Sequence, residues 1–189
     1  GAAPSPRYRH AACVIGDGLD TLVVWGGYTL ALAGSSANSL STADVHLLHL
    51  PSATWSSPRC TGAPPSRRGG HSLTKVGRKL IIYGGGQLNL SPARMVWAEC
   101  DLDDVACLDT QTWHYDALDV RGLPPGPRGG HSATRVGVGT DMGLLILGGR
   151  HYVADTWHGA HTHYGRAEAH LLVFGDSGSL SIAAREASA

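Results

Sequence analysis

The most regular hydrophobic pattern in the chain is a short apolar run that ends in two glycines and occurs three times, at residues 22–27, 80–85 and 144–149. Runs of this length, partly β-branched and bounded by glycines, predict strands that are buried on both faces. Before each run lies a segment in which apolar residues alternate with small or polar ones, and a glycine turn ends it. This alternation predicts a further strand, and no segment has the 3.6-residue period of a helix.

Two more strands are predicted in each repeat after the diglycine. The third strand covers residues 45–50, 105–109 and 169–174, and the fourth begins near Trp55 and Trp113. A proline- and glycine-rich segment then leads into the next repeat, where a central strand is unfavourable. Three long connections, residues 28–43, 86–101 and 150–167, are interpreted as loops. Loops of this length are uncommon in compact domains unless they are functional.

A second pattern has the same cadence. Gly, Pro, Arg and His stand at offsets 0, 3, 6 and 9 in three segments, which begin at Gly1, Gly62 and Gly122. A fixed period of about 60 residues indicates a repeat architecture. The predicted units are residues 1–61, 62–121 and 122–189. Ser177 stands where a tryptophan is expected in the third unit, so this unit is interpreted as degenerate or truncated.

Composition excludes several classes of function. The 189 residues have zero formal net charge and only 16% charged residues, which argues against nucleic acid as a partner. No apolar run reaches the ~20 residues that span a bilayer, so no membrane partner is expected. The four cysteines show no metal-binding spacing. A chain of 189 residues does not need disulfides, which favours free thiols in an intracellular, cytoplasmic protein. Cys100 and Cys107 could pair if the protein were secreted. No motif for a nucleophile or a cofactor is present, so neither catalysis nor a cofactor is expected.

These marks resemble the kelch repeat, a four-stranded propeller blade with a diglycine after its second strand and a tryptophan about thirty residues later. Residues 7–12 followed by residues 23–28 are especially similar to kelch proteins that serve as substrate receptors of ubiquitin ligases. The resemblance implies an all-β propeller fragment of three four-stranded antiparallel blades. Its structural residues would be the three diglycines and two tryptophans: Gly26, Gly27, Gly84, Gly85, Gly148, Gly149, Trp55 and Trp113.

The number of repeats departs from the family pattern. Closed kelch propellers usually have six or seven blades, and three blades leave two exposed sheet edges, which natural proteins avoid. The chain is therefore expected to be a fragment of a longer protein. The remaining blades would come from the full-length chain or from another copy.

Arginines carry the predicted partner site. The resemblance implies that Arg7, Arg68 and Arg128 lie on the face where the long connections open, and that similar arginines bind acidic or C-terminal groups of peptides. The alternative is that each of these repeated arginines braces its own blade against carbonyls or Asp residues. The unrepeated arginines are better candidates for specificity, and Met95 and Trp97 are the best apolar anchors. The unrepeated candidates are Arg9, Arg67, Arg94 and Arg150.

A histidine cluster in the third long connection supports an alternative. His158, His161 and His163 could supply imidazoles to a metal ion, but a solvated histidine-rich loop is the preferred interpretation of these residues. The expected function is therefore a scaffold that binds a partner protein or peptide through the connections on one face. A metal-dependent enzyme and a structural subunit of a large assembly are the alternatives.

Overall fold

The computed structural model describes residues 1–30, 39–90, 97–121, 125–137, 142–154, 161–165, 169–174 and 181–186. For residues 30, 39–40, 88–90, 97–101, 119, 152–154, 161–165 and 181–186 the description is limited to the backbone. No helix that could span a membrane is found within these ranges. The described chain consists of strands, turns and bends, as the hydrophobic pattern predicts.

Nineteen strands form in the described ranges, and they group by repeat. The first repeat contains β1 (Arg7–Tyr8), β2 (Ala11–Ile15), β3 (Thr21–Leu30), β4 (Ser39–His49) and β5 (Thr54–Ser56). The second contains β6 (Thr61–Gly62), β7 (Ser72–Val76), β8 (Lys79–Tyr83), β9 (Gly86–Leu90), β10 (Trp97–Asp101), β11 (Val105–Asp109) and β12 (His114–Asp116). The third contains β13 (Asp119–Arg121), β14 (Ser132–Val136), β15 (Gly143–Leu147), β16 (Arg150–Ala154), β17 (His161–Gly165), β18 (Ala169–Phe174) and β19 (Ser181–Glu186).

Each repeat builds one blade around four antiparallel strands. In the second blade the strand order is β6-β12-β11-β8-β7, and the third blade repeats it as β13-β19-β18-β15-β14. The outermost strands β6 and β13 run parallel to their neighbours and come from the segment that connects consecutive repeats. The inner strands β2, β7 and β14 contact one another from blade to blade. The predicted all-β propeller architecture is confirmed, with a fifth outer strand that the sequence did not predict.

The hydrophobic core consists of two layers between blades. One layer joins the first and second blades through side chains of β2, β3 and β4 on one side and of β7, β8, β11 and β12 on the other. The other layer joins the second and third blades through the opposite face of β8 and β11. The apolar run of β8 is buried on both faces because it has neighbouring blades on both sides, whereas on β15 Leu145 is half-buried and Leu147 is exposed. Leu80 and Ile82 lie in the first layer, whereas Ile81 and Tyr83 lie in the second.

The sequence predicts loops for the long connections after the diglycines, but the structure forms β-hairpins there. β9 pairs with β10 over five residues, and β16 pairs with β17 in the same way. In the first repeat β3 and β4 simply continue past the diglycine, with an irregularity between Trp25 and Gly27. Neighbouring hairpins contact each other, β4 with β9 and β10 with β16. Backbone pairing, rather than an apolar pattern, therefore shapes these segments.

The predicted match between Trp55 and Trp113 is wrong. Trp55 pairs with Leu48 on β4, whereas the equivalent Leu108 on β11 pairs with Tyr115. Tyr115 is therefore the counterpart of Trp55, and Trp113 lies in the preceding turn with a φ of 54°. Counting a fixed number of residues from the diglycine gives the wrong match, because the hairpin after the diglycine is two residues longer in the second repeat.

Candidate interaction face

One end of the blades carries the three hairpins, and we call it the hairpin face. The opposite end carries the short turns that follow β2 and β7, and we call it the turn face. At the hairpin face, the chain segment that leads into an inner strand pairs with the residue that follows a diglycine. The backbone of Gly69 exchanges hydrogen bonds with Gly86 at 2.9 and 3.0 Å, and Gly129 does the same with Arg150. These contacts fix the base of the second and third hairpins.

The diglycines connect consecutive blades. The amide of Gly27 donates to the carbonyl of Arg68, and the amide of Gly85 donates to the carbonyl of Arg128, both at 2.8 Å. Gly84 has a φ of 62°, and a Cβ placed on it would lie 2.6 Å from the Arg128 carbonyl oxygen. A side chain is excluded there because the backbone of the next blade approaches too closely.

The repeated arginines lie beneath this face, within their own blades. Arg7 forms a two-pronged ion pair with Asp44, at 2.7 and 2.9 Å, and Arg68 forms the same pair with Asp104, at 2.6 and 2.7 Å. Arg128 lies 3.2 Å from Nε2 of His170. Each guanidinium also donates to the carbonyl of the first glycine of its diglycine at 3.0 Å. These are the contacts of the bracing alternative.

Burial supports the same interpretation. Arg68 and Arg128 are fully buried, and the Arg7 side chain is 4% exposed. Burial alone would raise the pKa of Asp44, but hydrogen bonds from Arg7 and His46 lower it far below its usual value. The carboxylate is therefore charged throughout the physiological range. A partner role for Arg7, Arg68 and Arg128 stays a prediction, but their fork-shaped donors already bind groups inside the blade.

The sequence analysis missed the two aspartates as partners of specific arginines. Asp44 and Asp104 each stand immediately before the first residue of the third predicted strand. The signal that could have paired them is their nearly equal separation from the arginine mark, 37 residues in the first repeat and 36 in the second.

Two of the three repeated histidines, His71 and His131, fill the seams between inner strands, whereas His10 is exposed. His71 is buried against the edge of Trp25, with ring centroids 4.8 Å apart, and His131 stands in the same way against Tyr83. Burial, with a smaller effect of the Arg68 charge, lowers the pKa of His71 to about 3. Burial and the charge of Arg128 lower the pKa of His131 to about 4. Both rings are therefore neutral at physiological pH.

Arg9 occupies a position that is glycine in the other two repeats. Its φ is 54°, and the equivalent Gly70 and Gly130 have φ values of 70° and 66°. The amide of Gly70 donates to the Arg9 carbonyl, and the amide of Gly130 donates to the Gly70 carbonyl, both at 2.8 Å. A Cβ placed on Gly130 would meet nothing within 4 Å. A Cβ placed on Gly70 would lie 3.6 Å from the amide nitrogen of Gly130, which is an ordinary contact, so a side chain fits at this position.

The structure describes the remaining candidates to different degrees. Arg67 is exposed next to the buried Arg68, and Arg150 is half-buried at the start of β16. The guanidinium of Arg9 lies 5.9 Å from the ring centroid of Tyr28, which also contacts the 45% exposed Tyr8 edge-on. Trp97 begins β10, where only the backbone is described. Arg94 and Met95 lie outside the described residues.

The metal hypothesis stays untested. His161 and His163 lie on β17, opposite Ala154 and Tyr152, but only their backbone is described. His158 lies outside the described residues. Elsewhere in the described ranges, no group of three or more histidine, cysteine or acidic side chains is arranged to hold a metal ion.

Comparison with known proteins shows similar chains of greater length. The chain is 33% identical over 129 residues to acyl-CoA-binding domain-containing protein 4 of Arabidopsis thaliana, covering 68% of this chain and 18% of that protein. It is 31% identical to human Kelch domain-containing protein 3, covering 78% and 33%. It is 32% identical to the Rab9 effector protein with kelch motifs of Rattus norvegicus, covering 76% and 34%. The chain thus spans between about a fifth and a third of the length of these relatives.

A structural comparison and a family model agree with the blade architecture. The solved structure of YjhT aligns with 97% of this chain and 52% of its own, with a TM-score of 0.62 and 15% identity, which shows a common fold. The model of the KLHDC2/KLHL20/DRC7 Kelch-repeats domain matches residues 1–175. The family supports a protein-interaction role for such a propeller. By its sequence and its fold, the chain belongs to this kelch-repeat family.

Proposed function

We propose that this chain is a protein-binding module whose hairpin face holds an anionic segment of a partner, either acidic side chains or a C-terminal carboxylate. Arg9 is the residue that carries the proposal. It is an exposed cation at the start of an inner strand, where both other repeats have glycine. Guanidinium groups bind carboxylates with two parallel hydrogen bonds, which gives geometric specificity as well as affinity.

Backbone strain at Arg9 supports a functional role. A residue with a side chain costs about 1–2 kcal/mol in the left-handed region, and glycine avoids this cost. Two of the three repeats use glycine here, so the fold does not require an arginine. Local strain that the fold does not need is typical of binding and catalytic sites.

Neighbouring residues complete the proposed contact. Arg67 adds an exposed cation, and Tyr8 adds an exposed aromatic ring that rests on the buried Tyr28. Aromatic and arginine side chains are enriched at the centres of protein interfaces. Arg150, Arg94, Met95 and Trp97 belong to the second and third hairpin segments, and we propose them as the outer part of the same surface.

Replacement of Arg9 by glycine tests the proposal. The variant removes the cation and relieves the backbone, so it should fold at least as well as the wild type. Fluorescence polarisation with a peptide library would be measured for free carboxylate and amidated C termini, with and without internal acidic residues. Binding of the preferred anionic peptides should weaken at least about tenfold.

The matched control is Arg59→Gln, which removes an exposed arginine that lies between β5 and β6, away from Arg9. It should leave the affinity unchanged. Equal affinity of the wild type and Arg9→Gly for every peptide would contradict the proposal. Arg67→Gln should give a smaller loss than Arg9→Gly.

We also propose that the full-length protein acts in the cytoplasm as a substrate receptor of a ubiquitin ligase. The similarity of residues 7–12 and 23–28 to such receptors and the free thiols of Cys13, Cys60 and Cys107 support this form of the function. Purified full-length protein should bind a cullin-based ligase core and direct ubiquitin to a fused anionic peptide. Absence of both activities would leave a scaffold without a role in ubiquitin transfer.

A further inference from the structure

The turn face carries a cleft to which all three blades contribute. Leu19 comes from the turn after β2, Lys75 and Gly77 come from the end of β7 and its turn, and Arg135 comes from β14. The cleft has a volume of about 340 Å³. Because β2, β7 and β14 are the inner strands, the cleft lies near the propeller axis, at the opposite end from Arg9.

Lys75 and Arg135 give this cleft a positive charge. They hold equivalent positions, four residues after the repeated histidine of their blades. Neither side chain forms an ion pair within the described residues. Other cations near this face do: Arg78 lies 2.9 Å and Lys79 2.7 Å from the same oxygen of Asp109. Two like charges that line one cleft produce a positive potential that attracts an anion.

A second cleft adjoins the first and shares two of its residues. Its volume is about 320 Å³, and Lys75 and Gly77 line it together with Asp17 and Arg78. Asp17 is an acidic residue in the lining of this second cleft, and no ion pair joins it to Lys75 within the described ranges. Lys75 is half-buried and Arg135 is exposed. A ligand can therefore approach both cations from solvent.

Leu19 adds an apolar wall with an unusual backbone. Its φ is 51°, and its side chain is 60% exposed. A bulky side chain in the left-handed region is an outlier, and this one gains little from burial in return. Strain without compensating packing suggests a contact that forms only with a partner.

We infer that the turn-face cleft binds an acidic segment of a partner protein that also carries an aliphatic side chain. The carboxylates would bind Lys75 and Arg135, and the aliphatic group would cover Leu19. This site is separate from the hairpin face, so it is independent of the function proposed above. A propeller with both sites could hold two protein segments at once.

An array of amidated hexapeptides tests the inference. Each peptide would combine one leucine with two glutamates in every arrangement, and each would have a partner in which glutamine replaces glutamate. Amidation removes the terminal carboxylate, and each protein is also measured in an Arg9→Gly background, which removes the contact proposed for glutamates at the hairpin face. The wild type should prefer the acidic peptide of at least some pairs. The double variant Lys75→Gln/Arg135→Gln should lose this preference at least about tenfold, while Arg59→Gln and Arg9→Gly should keep it.

A charge reversal makes the result independent of folding defects. Lys75→Glu/Arg135→Glu should reverse the preference, so that peptides with lysine in place of glutamate bind more tightly than neutral ones. Leu19→Gly should weaken binding of the acidic peptides and keep their preference over the neutral ones.

Several results would overturn the inference. These are the absence of any acidic preference in the Arg9→Gly background, or a preference that survives Lys75→Gln/Arg135→Gln in that background. Full competition by millimolar inorganic phosphate would assign the cleft to simple anions and would also overturn it.

Discussion

The arginines of the hairpin face fall into two groups that differ in burial and in what they contact. Arg7, Arg68 and Arg128 recur in every repeat, and each donates to groups of its own blade. Arg9 and Arg67 occur once each and are exposed. A residue that occurs at the same position in every blade serves the fold. A charged residue that occurs in one blade alone is available for recognition.

The largest expected effect concerns a recurring aromatic position. Tyr115 is 5% exposed in the layer between the first two blades, and its hydroxyl accepts a hydrogen bond of 2.9 Å from the indole of Trp25. Tyr115→Ala should lower the free energy of unfolding by about 4 kcal/mol, measured by urea denaturation. Trp55, its counterpart in the first blade, is only half-buried and belongs to neither layer. Trp55→Ala should lower the free energy of unfolding by about 1 kcal/mol. Equal losses in the two variants would show that this aromatic position stabilises a blade even where no layer between blades includes it.

The next effect separates the two groups of arginines directly. Arg68→Ala removes a buried guanidinium together with its bonds to Gly84 and Asp104. The Asp104 side chain is 47% exposed and can regain water, so the loss should be about 3 kcal/mol rather than the higher values found when a charge is left fully buried. Arg67→Ala should change stability by less than about 0.5 kcal/mol. Comparable losses at both sites would remove the distinction between recurring and unrepeated arginines.

The sequence predicted most of the fold because its strongest signals come from residues with neighbouring blades on both sides. The run at β8 is apolar throughout since its alternate side chains enter two different layers. The hairpins were missed for the converse reason. Segments such as Ser39–His49 have no simple apolar alternation over their first half, and their strands are stabilised by backbone pairing with β3 beyond the diglycine.

The candidate site was harder to predict than the fold. The motif separated the repeated arginines from Arg9, but it could not show that Arg9 shares a left-handed conformation with Gly70 and Gly130. Conformation at one residue depends on hydrogen bonds to the next blade, which are distant in sequence. The match of Trp55 to Trp113 is wrong for a related reason. A two-residue difference in hairpin length shifts the outer strand along the sequence, so that Tyr115 is the counterpart of Trp55.

A pH dependence distinguishes the recurring histidines by their environment. The pKa of His71 is about 3 and that of His131 about 4, against an ordinary value near 6.5 in the unfolded chain. Between pH 6.5 and 4 the unfolded state therefore binds more protons, and stability should fall as the pH falls. Each histidine contributes at most about 1.4 kcal/mol per pH unit. His71→Phe should reduce the slope of stability against pH, and an unchanged slope in this variant would contradict the assignment.

The smallest effect tests the strain at Arg9, on which the proposed function depends. Arg9→Ala keeps a side chain in the left-handed region, whereas Arg9→Gly relieves it, and both remove the contact with Tyr28. The relief of about 1–2 kcal/mol is partly offset by about 0.5–1 kcal/mol of additional chain entropy in the unfolded glycine variant. The free energy of unfolding of Arg9→Gly, measured by urea denaturation, should therefore be about 0.5–1 kcal/mol higher than that of Arg9→Ala. Equal stabilities would mean that the arginine costs the fold nothing, and its presence would then need no binding function to explain it.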